Sequence, residues 1–275
     1  MSGKLGILAG GGELPRRLIK LCQDTGRDFF VVAFKGQTDN ETVMDVEHLW
    51  SRLGAAGDII SRLKKEQVTD LIMIGPVKRP SMAELRPDWR ALQFFAKIGA
   101  KSLGDDGLLK SVVSALETEG FNLLGIDDIL HDLLATKEIY GKFSPDAQAQ
   151  TDIKRGVEVA RLMGLADVGQ SVVVQQGLVL GIEAIEGTDA LIDRCAGLRR
   201  DAAGGVLVKL KKPQQERRAD LPTIGLETIK RAVKSGLRGI AIEAGGALVV
   251  DRDAVVQLAN ESGLFLIGIE PADYD

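Results

Sequence analysis

The sequence predicts an α/β protein of two domains: an N-terminal Rossmann-like parallel sheet with helices, then a C-terminal mixed α/β domain. Three observations carry that expectation. The chain opens as strand, glycine turn and helix: an apolar run at residues 4–9, then Gly10-Gly11-Gly12-Glu13-Leu14-Pro15, then helical spacing through Leu18, Leu21 and Cys22. Short apolar runs alternate with helical periodicity along the chain, the pattern of a sheet with crossover helices. That alternation lapses over residues 130–142, which places the domains at 1–132 and 138–275 with a linker at 133–137. At 275 residues the chain can bury a proper core in each.

In order, residues 28–34 read as the second strand, 55–66 as a helix and 71–74 as the next strand, which ends in Gly75-Pro76-Val77-Lys78-Arg79-Pro80. Trp89, Leu92 and Phe95 (or Phe94) then fall at helical spacing, a stripe expected in the core, or alternatively as a wall for an apolar ligand. Gly104-Asp105-Asp106-Gly107 precedes a helix at 108–119, and 121–126 reads as a strand. The second half starts with a helix at 151–163, capped by Ser144, Thr151 or Asp152. Strands at 171–174 and 178–185 form a hairpin about Gln176-Gly177. A helix at 189–198 follows, with Thr188 placed to cap it. Residues 240–270 echo this plan, with a second hairpin about Gly245-Gly246. The echo pairs the acidic junction at 183–189 with the basic strand end at 209–212, because both bracket one helix and can meet at one sheet edge.

Composition removes several function classes. A net charge of −4, a pI near 5.4 and 4% aromatic residues argue against nucleic-acid binding. Two cysteines, Cys22 and Cys195, suit a reduced intracellular protein without disulfides. No signal peptide is read at the start. The longest uncharged run, 168–182, is too short for a bilayer span, so a soluble or peripheral protein is expected. Only His48 and His131 occur, and neither is set for zinc binding or for a Ser-His or Cys-His pair. Chemistry then falls to carboxylates, lysines, arginines, hydroxyls and a hard metal ion.

The stretch richest in such groups is 207–225. It opens as an apolar strand, crowds Lys209, Lys211, Lys212, Arg217 and Arg218 together, passes Asp220, and enters a helical pattern through Pro222-Thr223-Ile224-Gly225. A strand that ends in a cationic loop before a helix suits an anionic ligand, and Glu216 with Asp220 could hold a cation against it. The plainer reading is a solvated basic loop with Asp220 as a cap. Glu183, Glu186 and Asp189 make the acidic junction opposite. An acidic bend facing a cationic loop suits phosphoanhydride cleavage with Mg²⁺ or Mn²⁺. The Rossmann-type dinucleotide fingerprint, by contrast, is broken: Pro15 replaces its third glycine and Lys35, not an acid, ends the second strand.

Taken together, Gly10-Gly11-Gly12-Glu13-Leu14-Pro15, Gly75-x-Val77-x-Arg79-Pro80, Gly104-Asp105-Asp106, Asp167-Val168-Gly169-Gln170-Ser171, Glu183-Ala184-x-Glu186-Gly187-Thr188-Asp189, Lys212-Pro213 and Asp220-Leu221-Pro222-Thr223-Ile224-Gly225 resemble the LpxI family. The resemblance covers nearly the whole chain. It implies hydrolysis of UDP-2,3-diacylglucosamine to 2,3-diacylglucosamine 1-phosphate and UMP in lipid A biosynthesis, with a divalent metal and a substrate lying between the two domains. Read onto this chain, it makes Asp220 the leading catalytic or metal carboxylate, with Glu186 and Asp189 as partners and Lys209, Lys212 and Arg218 as a diphosphate clamp. Asp220, Glu183 and Glu216 become the candidate ligands for Mg²⁺, or Mn²⁺, although Glu216 stands where the family more often has Asp. Gly10, Gly11, Gly12, Lys78, Arg79, Gln170, Thr188, Pro222, Thr223 and Gly225 become substrate-binding candidates, Thr188 and Thr223 by presenting capped helix starts. The expected setting is cytoplasmic, as a homodimer in transient contact with the inner membrane. The competing expectations are a non-catalytic carrier of a nucleotide sugar or phospholipid, and a Rossmann-type oxidoreductase.

Overall fold

The computed structural model describes residues 3–78, 81, 85–98 and 105–275. Arg79, Gly104 and the side chain of Phe95 lie outside the described residues. The chain forms two compact units, Met1–Leu130 with Glu216–Asp220, and His131–Gln215 with Leu221–Asp275. The sequence carries no cue for the short return of Glu216–Asp220 to the first unit.

In the first unit the elements run β1 (Lys4–Ala9), α1 (Glu13–Thr25), β2 (Phe29–Phe34), β3 (His48–Ser51), α2 (Ala56–Lys65), β4 (Val68–Ile74), α3 (Trp89–Ile98), α4 (Asp105–Thr118) and β5 (Asn122–Leu124). The sheet order is β3-β2-β1-β4-β5, every pairing parallel. Leu5, Ile7 and Ala9 on β1 are wholly buried, as a strand covered by helices on both faces requires. Gly26 ends α1 in the left-handed region at φ 67°. The edge strand β3 escapes sequence reading because, of its four residues, only Ser51 is buried.

The expected core stripe on α3 is not one. Trp89 is 72% exposed and Leu92 46%, while Ala91 faces inward at 4%. Asp88 sets that rotation. Its carboxylate takes the N–H of Ala91 at 2.8 Å and that of Gly57, on α2, at 2.7 Å, which pins the helix start with the small residue inward.

In the second unit the elements run β6 (Ile139–Tyr140), α5 (Ala147–Leu165), β7 (Ser171–Gln175), β8 (Leu178–Ile182), α6 (Gly187–Cys195), β9 (Val206–Lys209), β10 (Thr223–Ile224), α7 (Leu226–Lys234), β11 (Gly239–Glu243), β12 (Leu248–Val249), α8 (Arg252–Glu261) and β13 (Phe265–Ile269). The main sheet orders β6-β13-β11-β9-β7-β8. Strands β13, β11 and β9 are parallel, and β6, β7 and β8 run against their neighbours. Its two faces carry separate cores, one around Leu207, Ile240 and Leu266, the other around Ile153, Val208 and Ala241.

Helix α5 starts four residues before 151, capped by Asp146, which accepts from Ala149 N at 2.8 Å. Asp152 is buried instead inside α5, where it receives the N–H groups of Gln176 and Gly177 at 3.1 and 2.7 Å and fixes the β7–β8 turn. The second hairpin does not form. After Glu243 the chain leaves the sheet, with Ala244 N on Ile269 O and Gly245 N on Ala135 O, both at 2.8 Å, and β12 pairs with β10.

Candidate active site

Strands β1 and β4 sit side by side at the centre of the first sheet, where open α/β folds hold ligands beyond the strand ends. The N–H groups of this glycine turn already have partners. Gly10 donates to Ile74 O at 2.8 Å, Gly11 to Pro76 O at 2.9 Å, and Gly12 to Asp39 Oδ2 at 2.9 Å. A Cβ on Gly10 would lie 2.5 Å from the Gly75 carbonyl oxygen, so the glycine permits two loops to interlock. The Asp39 carboxylate stands where an anion would meet the start of α1. Lys78 is exposed, and its backbone is held at both N–H and C=O by the Gln37 amide, at 2.8 and 3.1 Å.

The second unit gathers more. Ser171 opens β7 directly opposite Lys209, the last residue of β9. Glu183 follows the end of β8, and Thr188 lies in the first turn of α6. One sheet edge therefore brings Gln170, Ser171, Glu183, Thr188 and Lys209 together. The Lys209 ammonium donates to Thr188 Oγ1 at 2.6 Å, and that hydroxyl donates to Glu183 Oε1 at 2.8 Å. Gln170 N reaches Glu183 Oε2 at 3.3 Å, and Ser171 Oγ lies 3.3 Å from Thr188 Oγ1. Lys209 and Glu183 are 5% and 6% exposed, so each buried charge is compensated through the threonine between them.

Lys212 extends the network. Its ammonium lies 2.7 Å from Asp167 Oδ1, its N–H donates to Gln215 Oε1 at 3.1 Å, and the Gln215 amide reaches Gln170 Oε1 at 3.3 Å. Thus the acidic bend and the lysine loop do meet at one edge, as the echo of elements suggested.

Other candidates are placed differently. Thr188 does not cap α6, since its hydroxyl is spent on Glu183. Glu186 receives Arg194 Nε and Nη2 at 3.2 and 2.9 Å. Its own backbone N–H, with Arg194 after it, holds its carboxyl below the usual range. Asp189 faces Arg231 at 3.5 Å. Thr223 caps no helix: it belongs to β10, and its hydroxyl donates to Leu221 O at 3.0 Å. Pro222 is buried with its carbonyl accepting from Leu248 N at 2.8 Å, and Gly225 is the N-cap of α7.

The segment Glu216–Asp220 belongs to the first unit. Arg218 forks onto Glu216, with Nε on Oε1 at 2.9 Å and Nη2 on Oε2 at 3.0 Å, and its Nη1 reaches Glu117 Oε1 at 2.6 Å. Those hydrogen bonds hold the Glu216 carboxyl below its ordinary range. Arg217 pairs with Asp127 at 2.7 Å. Asp220 is exposed, its N–H bonded to Glu216 O at 3.0 Å. Among the described residues no group of three or more His, Cys, Asp or Glu stands ready to cage a metal. Both oxygens of Glu216 and of Glu183 are engaged by protein donors. Magnesium is usually held by one or two carboxylates plus substrate phosphates, and of these three carboxylate residues Asp220 is the exposed one.

Sequence reading missed Glu243, which closes the central parallel strand β11. Its carboxylate accepts from Lys211 N at 2.8 Å and anchors the lysine loop. Gly246 leaves it room, since a Cβ there would fall 2.6 Å from the Glu243 carboxyl carbon. Burial pushes its carboxyl up, against the pull of Lys211 and Arg161 and with a smaller push from Glu270. A raised carboxyl makes the folded state bind the extra proton, so this residue stabilises the fold more as pH falls from its folded pKa toward its unfolded one. Glu243→Gln is therefore expected to raise Tm at neutral pH and to lose that advantage in mild acid. Thermal melts of both proteins across pH check this, and a constant difference would contradict it.

A two-unit α/β protein, with a Rossmann-type sheet and a compensated lysine–carboxylate network at the strand ends of its second unit, has the build of an enzyme for phosphorylated substrates. The chain belongs to the LpxI family: its N-terminal domain description matches residues 4–133 and its C-terminal domain description residues 136–267. The UDP-2,3-diacylglucosamine pyrophosphatase LpxI of Caulobacter vibrioides is 41% identical over 281 aligned residues, spanning 98% of this chain and 99% of its own. Among solved structures, a CobK precorrin-6A reductase aligns with 98% of this chain and 88% of its own, at 12% identity and a TM-score of 0.36.

Proposed function

We propose that the chain hydrolyses the diphosphate of UDP-2,3-diacylglucosamine, adding one water across the P–O–P link to release UMP and 2,3-diacylglucosamine 1-phosphate. The observation that carries this is the Lys209–Thr188–Glu183 network with Lys212 beside it, at the carboxyl ends of parallel strands. The 41% identical relative names the substrate.

In this reading Lys212 exchanges Asp167 for a diphosphate oxygen, and Lys209 holds Thr188 with its positive charge beneath the site. Each oriented cation near developing charge is worth about 10²–10³ in rate. Asp220 is the carboxylate proposed to orient water or to hold Mg²⁺ (Mn²⁺ in its place) together with diphosphate oxygens. The ion, when bound, neutralises phosphate charge and polarises phosphorus. Among the described residues no helix is long and apolar enough to cross a membrane. We place the protein in the cytoplasm, meeting its glycolipid at the membrane surface.

The test is product analysis from UDP-2,3-diacylglucosamine with and without EDTA. UMP and the lipid 1-phosphate in equal amounts, lost with EDTA and restored by Mg²⁺, are expected. Tight binding without products would favour the carrier reading instead.

A further inference from the structure

Helix α3 turns large apolar side chains outward. Trp89 is 72% exposed and Leu92 46%, one turn apart, and Gln93 and Ala96 beside them are also exposed. A tryptophan on a soluble helix ordinarily turns inward, yet here Asp88 holds Ala91 in that place. Charge sets the stretch apart as well. Residues 78–101 carry six basic residues (Lys78, Arg79, Arg86, Arg90, Lys97 and Lys101) against Glu84 and Asp88, in a chain of net charge −4. Within α3 itself no residue is acidic.

We infer that α3 is a membrane-docking helix, which lays Trp89 and Leu92 into an anionic bilayer surface, drawn there by the net positive charge of this stretch of sequence. Tryptophan favours the boundary between headgroup and acyl chain, and a basic amphipathic helix lies in that plane. Anionic lipid complements the local positive charge. A second copy of the chain fits less well, because two-fold pairing would set this basic stretch against itself. The inference rests on the glycolipid reading for its purpose, since a substrate with two acyl chains is met at a bilayer. Its test involves no turnover, so it fails or stands apart from the activity.

The experiment is flotation with vesicles of phosphatidylcholine, with and without phosphatidylglycerol, in the absence of substrate. The chain has two tryptophans, so Trp50→Phe leaves Trp89 as the sole reporter. Expected are binding to phosphatidylglycerol vesicles that weakens with salt, a blue shift of Trp89 emission, and quenching by brominated acyl chains. Trp89→Ser with Leu92→Ser, at unchanged far-UV dichroism, should weaken binding by about 10- to 100-fold. Absence of vesicle binding, binding without quenching, or an emission shift that follows protein concentration without lipid would each overturn the inference, the last by showing that a second copy covers the face. The quenching arm needs no surface variant, so a misfolded double mutant leaves the test intact.

Discussion

Asp220→Ala is expected to lower kcat for UMP release by about 10²–10⁴, the range that a positioned general acid or base contributes. Asp220 is exposed at the end of a turn whose N–H and C=O groups pair with each other, so the substitution should barely move stability. An exposed change of this kind usually lies within about 0.5 kcal/mol. Lost turnover with an intact melting curve and largely retained substrate binding is the signature of chemistry. Turnover near that of the unmodified protein would remove Asp220 from the mechanism.

Lys209→Met should act on fold and activity together. Methionine keeps the length of the side chain in its buried slot but leaves Glu183, 6% exposed, without the cation that offsets it through Thr188. Leaving such a group uncompensated costs about 1–3 kcal/mol. Loss of the cation at the site should also lower kcat by about 10²–10³. Adding Glu183→Gln separates the two effects, because a neutral amide needs no compensating charge. Chemical denaturation of the double variant should recover most of the stability while its turnover stays low. Recovery of turnover along with stability would mean that Lys209 only supports the fold.

How far the sequence reached is clearest from where the two readings part. The β1–glycine–α1 opening and the strands read at 28–34 and 71–74 announced a parallel sheet, because strands buried on both faces carry near-continuous apolar runs. The gathering of residues 183–189 with 209–212 was also legible, since a short helix joining the two strands that flank β7 leaves few other arrangements. Roles within the cluster were not. Thr188 is a common capping residue, yet its hydroxyl turns to Glu183, a choice that only the register of β7 against β9 decides. Arg217 and Arg218 read as free cations in the sequence. Asp127, which pairs with Arg217, and Glu117, which joins Glu216 on Arg218, lie 90 and 101 residues away, beyond any local pattern. Glu243 looked like an ordinary polar residue after a strand, and its importance comes from burial and from the Lys211 N–H it accepts. The outward Trp89 reverses the periodicity rule because a cap and a glycine on α2, rather than the apolar stripe, set the helix rotation.

The most direct measurement is a crystal structure of Asp220→Ala with UDP-2,3-diacylglucosamine bound. Diphosphate density is expected at the carboxyl end of β9, with the Lys212 ammonium drawn from Asp167 onto a phosphate oxygen above Lys209 and Thr188. Density for the diphosphate elsewhere, with Lys212 still on Asp167 and that sheet edge bare, would contradict it.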